Sequence, residues 1–104
     1  MASREIIWTN TAAKQRRSIL AYWVDKTGSS EFSIKLLQAS SKRVCYLADY
    51  PGFGQQSEFP NTRVTSLGHY SIYYQINENQ IIVTAFWDNR QDPKKLYRLL
   101  QTGD

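Results

Sequence analysis

The chain has 104 residues, a formal net charge of +4 and a single cysteine, Cys45. A chain of this length buries one hydrophobic core, so we expect residues 1–104 to form a single domain. The lone cysteine excludes an intrachain disulfide, and no apolar run has the length of a signal peptide or a membrane span. We therefore expect a cytoplasmic protein without a membrane partner. No His and Cys residues have metal-ligand spacing, and we expect neither a metal nor another cofactor.

The N-terminal part of the chain predicts a strand followed by a long helix. Arg4–Trp8 is rich in β-branched and aromatic residues, which favours a strand. From Ala12 to about Lys26, apolar residues recur at helical spacing. Gly28 then ends the helix, because glycine tolerates the left-handed conformation that many helices adopt at their C-terminus.

A second helix follows closely and makes a helical hairpin with the first. Ser29 or Ser30 suits its N-cap, and an apolar stripe continues to Ala48. Residues 1–50 carry eight Lys and Arg against four Asp and Glu, a bias that suits an acidic protein or a nucleic acid. A charged helix face is also commonly just the solvated face. The cations of the hairpin that could contact a partner are Lys14, Arg16, Arg17, Lys35, Lys42 and Arg43.

The C-terminal half predicts strands and a short terminal helix. Tyr50–Gly54 breaks the second helix, and a polar connector spans Gln55–Asn61. Asp92 and Pro93 suit the N-cap and first position of a terminal helix. Between connector and terminal helix lie three strand candidates, Arg63–Leu67, Tyr70–Ile76 and Gln80–Trp87.

This order of elements predicts an α+β fold. Runs of helices followed by runs of strands favour a helical layer packed on a sheet. We expect the hairpin to cover one face of a mainly antiparallel four-stranded sheet, with the short C-terminal helix at the end of the chain. The opposite face of the sheet is expected to be open, and a site could lie there.

Two stretches of the chain resemble a known family. They are the opening "IIWTNTAAKQRRSILAYWVDK" and the ordered set of Arg63-Val-Thr, Tyr70-Ser-Ile-Tyr-Tyr and Ile-Ile-Val-Thr-Ala-Phe-Trp-Asp-Asn-Arg90. Together they are similar to the RelE/ParE superfamily of toxins from bacterial type II toxin–antitoxin systems. The resemblance covers nearly the whole chain and lies in the ordered set of elements rather than in one motif.

The resemblance implies a toxin that is held inactive by a cognate antitoxin. Its two branches have different targets: the ParE-like branch inhibits DNA gyrase, and the RelE-like branch cleaves messenger RNA on the ribosome. The Tyr-x-Ile-x-Tyr pattern from Tyr70 and an Arg after the last strand are nearer the ParE-like pattern. The RelE-like branch often has Arg at the Tyr70 position and a catalytic His or Tyr at the C-terminal end. The segment Leu100–Asp104 has neither.

The resemblance therefore favours a gyrase inhibitor that is not an enzyme, with a ribosome-dependent endoribonuclease as the alternative. For a ribonuclease, the candidate catalytic residues are Arg63, His69, Tyr73 and Arg90. They would supply acid–base groups and cations for the transition-state phosphate. For contact with a target or antitoxin, the candidates are Arg63, Tyr70, Tyr73, Asp88, Arg90, Arg16 and Arg17.

Each of these candidates also has a purely structural interpretation. Arg63 could pair with Asp88 or Glu58, and Asp88 with Arg90 could form a local ion pair beside the helix cap. Tyr73 could belong to the core. A lone histidine at a turn, such as His69, is usually just solvated.

Overall fold

The structure is a computed structural model and describes residues 3–101. Its helices and strands follow the predicted order closely. A 3-10 turn over Pro51–Phe53 follows the second helix. The elements are β1 (Glu5–Trp8), α1 (Asn10–Thr27), α2 (Glu31–Asp49), β2 (Gln55–Gln56), β3 (Arg63–Leu67), β4 (Tyr70–Ile76), β5 (Gln80–Asp88) and α3 (Pro93–Gln101).

Local hydrogen bonds explain where α1 begins and ends. The Thr9 hydroxyl accepts a hydrogen bond from the Ala12 backbone amide at 3.1 Å, which satisfies a donor of the first turn. Gly28 adopts φ 69°, and its amide donates to the Val24 carbonyl at 2.9 Å. The prediction of a helix that ends at Gly28 is confirmed, and the antiparallel hairpin follows from the short link to α2.

The sheet has five strands rather than the expected four. Their order is β1-β5-β4-β3-β2, with β1 parallel to β5 and the other pairs antiparallel. The additional strand is β2, which lies in the predicted connector and pairs Gln55 with Val64 and Gln56 with Arg63. A two-residue strand is too short to show a periodicity in the sequence. Its pairing instead comes from the turn that carries the chain back past β3.

The face of the sheet under the hairpin carries the main core. Tyr70, Ile72 and Tyr74 of β4 share this face, as the alternation along the strand predicts. Their exposed fractions are 3%, 0% and 0%. They pack with side chains of the hairpin, of which the most deeply buried are Ala12, Val44 and Leu47.

The opposite face of the sheet is covered at one end, where we expected it to be open. Tyr73, Ala85 and Trp87 form a second cluster there with Phe59 and with Leu96 of α3. Leu96 is 2% exposed, so α3 is a packed element rather than a loose end. Its apolar spacing predicts an amphipathic helix, but spacing alone does not say which surface the helix covers.

An irregularity interrupts the pairing of β4 with β5. Tyr73 lies opposite Ala85 and Tyr74 lies opposite Val83, so Thr84 has no counterpart on β4. This is a β-bulge, in which one strand carries one more residue than its partner. Beyond it the pairing resumes and reaches Tyr70 opposite Asp88.

Candidate functional site

A cleft of about 550 Å³ opens where the end of β5 approaches α1. Helix α1 supplies one wall and the end of β5 with the following turn supplies the other. The lining includes Ser18, Tyr22 and Trp23 on the helix and Asp88, Arg90 and Gln91 across from it. This cleft brings together Asp88 and Arg90, and a third predicted candidate, Tyr70, contacts its lining through a hydroxyl that lies beside Trp23 and Arg90.

Asp88 and Arg90 form a bidentate ion pair in the cleft. The Arg90 Nε and Nη2 atoms each donate a hydrogen bond of 2.9 Å, to Oδ1 and Oδ2 of Asp88 respectively. The Arg90 backbone amide also donates to Asp88 Oδ1 at 2.9 Å. The hydrogen bond from Arg90 holds the pKa of Asp88 below its usual range, and the same contact raises the pKa of Arg90. Both groups are therefore charged at neutral pH, and the pair carries no net charge.

Two aromatic side chains surround the guanidinium. The indole Nε1 of Trp23 donates a 2.7 Å hydrogen bond to the Tyr70 hydroxyl, and Arg90 Nη2 lies 3.5 Å from that hydroxyl. The guanidinium carbon is 5.7 Å from the Trp23 ring centroid and 5.9 Å from that of Tyr70. These distances are within cation–π range. Side-chain contacts thus join the strand end, the helix and the arginine.

Tyr22 adds an exposed aromatic surface at the rim of the cleft. Its side chain is 54% exposed and stands edge-on to Trp23, with ring centroids 5.1 Å apart. Trp, Tyr and Arg are the residue types most enriched at binding hot spots. Neither Tyr22 nor Trp23 is among the candidate site residues predicted from the sequence. The adjacent aromatic pair on α1 was the available signal for such a role.

Arg63 lies at the other end of the sheet from this cleft. It pairs with Tyr74 across β3 and β4, four residues along β4 from Tyr70, which is roughly 13 Å at strand spacing. Its Nη1 donates to the Gly54 carbonyl at 2.7 Å. The alternative in which Arg63 pairs with Asp88 is wrong. The register of β3, β4 and β5 separates the two residues, and Asp88 is held by Arg90.

Of the other two candidates for nuclease chemistry, Tyr73 lies apart from Arg90, whereas His69 lies near it, across from Asn89. Tyr73 is 9% exposed on the opposite face of the sheet, edge-on to Phe59 at 5.5 Å. Burial, with a further effect from Glu58, raises the pKa of Tyr73. His69 is exposed at the turn before β4, and its carbonyl accepts a 2.9 Å hydrogen bond from the Asn89 amide. Arg63, Tyr73 and Arg90 thus occupy three different places.

Several cations of the hairpin contact groups of the protein itself. Arg16 stacks on Trp8, with its guanidinium carbon 3.9 Å from the ring centroid, and burial lowers its pKa, as does neighbouring Arg17 to a smaller degree. Arg43 donates to the Thr65 hydroxyl at 2.8 Å and to the Ser66 carbonyl at 2.6 Å. Arg17 remains exposed. The predicted basic face is therefore only partly available to a partner.

The part of the chain that the structure describes contains neither a candidate metal cluster nor a membrane-spanning helix. Within residues 3–101 no group of three or more His, Cys, Asp or Glu side chains is placed to hold a metal ion. Across the same residues no helix has the length and apolar character needed to cross a membrane. The expected lack of a catalytic His or Tyr at the C-terminal end concerns Leu100–Asp104, of which residues 102–104 lie outside the described range.

Comparison with known proteins identifies a family and a fold. The family model described as ParE toxin of type II toxin-antitoxin system, parDE, matches residues 6–93. A solved structure titled as the chromosomal ParDE TA system from P. aeruginosa is similar, with a TM-score of 0.70 and 24% identity. The likeness covers 81% of this chain and 94% of that chain, and at this identity it shows a shared fold. None of the curated proteins compared matches the chain.

Proposed function

This chain belongs to the ParE toxin family of type II toxin–antitoxin systems, and on that premise we propose that it inhibits DNA gyrase through protein–protein contact. A cognate antitoxin neutralises it, and both encounters take place in the cytoplasm. The toxin acts as a binding protein rather than as a nuclease. The cleft between α1 and the end of β5 is the surface that meets the target.

The observation that carries this proposal is the state of Arg90. An arginine that stabilises a transition-state phosphate typically offers a pair of parallel donors to phosphate oxygens. In this cleft the pair formed by Nε and Nη2 is taken by the two oxygens of Asp88, whose charge also cancels that of the guanidinium. Arg63 and Tyr73 lie elsewhere, so His69 is the one other nuclease candidate near Arg90, and its bond there is made by its backbone carbonyl to the Asn89 amide. Its neighbours are Trp23, Tyr22 and Tyr70, which suit the anchoring of a protein partner.

A supercoiling assay with the purified chain tests the proposal. The chain should inhibit gyrase or trap cleaved DNA, and Tyr22→Ala should raise the concentration for half-inhibition by about tenfold or more, as loss of a binding hot spot does. Tyr50→Ala is the matched control, because Tyr50 is also an exposed tyrosine, at 59%, but lies at the end of α2 outside the cleft.

The competing activity is measured in parallel in a translating extract. Codon-phased cuts in messenger RNA that disappear with Arg90→Ala would support the endoribonuclease and contradict a purely binding function. Full gyrase activity at a large excess of the chain would contradict the gyrase target.

The outer surface of the hairpin is our proposed contact for the antitoxin. Val24 on α1 and Ile34 and Leu37 on α2 are exposed by 38%, 50% and 39%. Exposed apolar side chains of this kind suit the apolar face of an amphipathic helix that folds on binding. The alternative is a strand added beside β3, where β2 pairs only with Arg63 and Val64. On that edge Arg43 already holds the Ser66 carbonyl, which favours the helix.

Co-expression of the chain with the short reading frame beside its gene tests this contact. Ile34→Glu should weaken co-purification of the antitoxin without reducing gyrase inhibition. Lys42→Gln on the same helix is the charge-matched control, because it too lowers the net charge by one. An antitoxin that binds Ile34→Glu as well as the unaltered chain would contradict a helix on the hairpin.

A further inference from the structure

Asp88 occupies Arg90 in the geometry with which arginine binds phosphate. The guanidinium presents parallel N–H donors, and a carboxylate and a phosphate match this fork equally well. Both Asp88 oxygens are used, each at 2.9 Å from the guanidinium, and Oδ1 also accepts from the Arg90 backbone amide. The side chain of Asp88 is 16% exposed and that of Arg90 is 49% exposed, so the carboxylate lies on the inner side of the pair.

The rest of the cleft offers little positive charge to an anion. Apart from Asp88 and Arg90, the lining is uncharged and consists of serine, isoleucine, glutamine and aromatic side chains. A phosphodiester that enters would face a pair of zero net charge, and to reach the Nε and Nη2 donors it would have to displace a carboxylate fixed by three hydrogen bonds. An uncharged acceptor needs no net positive charge, so Arg90 Nη1, which is not part of the pair, can donate to it between the apolar aromatic walls.

We propose, independently of the cellular target, that Asp88 is the specificity-determining residue of this cleft: it is a built-in anion that excludes phosphodiesters from Arg90. The cleft then accepts uncharged acceptors and aromatic or aliphatic groups of a protein partner. The same fold with a neutral residue at this position would present Arg90, Tyr70 and the Trp23 edge as an anion site. One side chain therefore separates a protein-binding cleft from a phosphate-binding cleft.

The test is a titration of ¹⁵N-labelled chain with inorganic phosphate and then with a short single-stranded DNA, which lacks a cleavable 2′-hydroxyl. The reporters are the Arg90 Nε–H and Trp23 Nε1–H signals. In the unaltered chain both signals should stay in place. In Asp88→Asn both should shift saturably, with affinity for phosphate raised by about tenfold or more and weakened by added salt.

Two variants keep the result decisive. Glu78→Gln removes one negative charge at the exposed β4–β5 turn and should behave like the unaltered chain, which separates a local effect from a change in net charge. Asp88→Asn combined with Arg90→Gln should lose the gain, with the dispersion of the spectrum reporting an intact fold.

Three results would overturn the proposal. They are phosphate binding at Arg90 in the unaltered chain as tight as in Asp88→Asn, no gain in Asp88→Asn while its spectrum shows a folded protein, or a gain that survives removal of Arg90. None of these titrations involves gyrase. A negative result for the role of Asp88 is therefore distinct from a negative result for gyrase as the target.

Discussion

Strand β4 places two tyrosines on the same face, and their hydroxyls have different environments. Tyr74 is fully buried, and its hydroxyl donates to the Pro51 carbonyl at 2.7 Å and accepts from the Gly54 amide at 2.9 Å. Tyr70 is nearly as buried, but its hydroxyl accepts from Trp23 at 2.7 Å and lies beside Arg90, and both of these side chains line an open cleft. One cluster is bonded to backbone, and the other is bonded to side chains.

The difference separates a structural polar cluster from a candidate site. At the Tyr74 end, the bonds satisfy backbone groups of a turn that the sheet must carry, and Arg63 adds a further bond to the same turn through the Gly54 carbonyl. Every bond there fixes the path of the chain. At the Tyr70 end, the bonded groups are side chains whose other donors and faces are directed at the cleft. Loss of a bond there should change recognition more than stability.

The largest expected effect is at Gly54, on the structural side of this comparison. A Cβ atom there would lie 2.6 Å from the Tyr74 hydroxyl oxygen and 2.8 Å from the Val64 carbonyl oxygen. We expect Gly54→Ala to lower the free energy of unfolding by about 3–4 kcal/mol, through overpacking and loss of the tyrosine's hydrogen bonds. Urea unfolding measures this loss of stability. Gly52→Ala is the control, since a Cβ at Gly52 meets nothing within 4 Å, and equal losses in both variants would contradict the prediction.

Removal of each tyrosine hydroxyl compares the two clusters directly. Tyr74→Phe leaves a buried amide and carbonyl without partners and should lower the free energy of unfolding by about 1–3 kcal/mol, with gyrase inhibition retained by the folded fraction. Tyr70→Phe should cost about 1 kcal/mol or less, because Trp23 is only half buried and its N–H can reach water. It should nevertheless weaken inhibition. The reverse order of stability losses would refute this assignment of roles.

The smallest expected effect is the pH dependence of the Asp88–Arg90 pair. The hydrogen bond from Arg90 lowers the pKa of Asp88 in the folded chain, so ionised Asp88 stabilises the fold above the ordinary carboxyl pKa of about 4. This contribution is lost as the pH falls through the lowered pKa. The stability difference between the unaltered chain and Asp88→Asn should therefore shrink in acid, which urea midpoints at a series of pH values will show. A difference that is constant with pH would mean that the ion pair does not stabilise the fold.

Much of the fold follows from local patterns in the sequence. The helical spacing of α1, the glycine at its end and the alternation along β4 each depend on near neighbours, and the structure confirms them. Strand β2 and the covered opposite face do not follow, because they depend on where a turn and α3 meet distant parts of the chain. Sequence patterns carry little information on such non-local pairing.

The candidate site was predictable in part for the same reason. Asp88 and Arg90 are two residues apart, so their ion pair was among the local alternatives. The distance of Arg63 from Arg90 depends on the register of two hairpins, and the contact of Trp23 with Tyr70 joins residues 47 positions apart. Neither this distance nor this contact can be inferred from the order of residues in the sequence.

The bulge at Thr84 determines which side chains at the end of β5 face the hairpin and which face α3. Before it, odd-numbered Ile81 and Val83 face the hairpin; after it, even-numbered Phe86 does, followed two places later by Asp88. If Thr84 instead took part in a regular alternation, with no bulge, Trp87 would turn toward the hairpin and the Asp88 carboxylate would lie on the α3 side. The ion pair and its cleft thus depend on a one-residue shift in strand pairing. That shift lies at Thr84, four residues before Asp88, and Thr84 belongs to neither side of the pair.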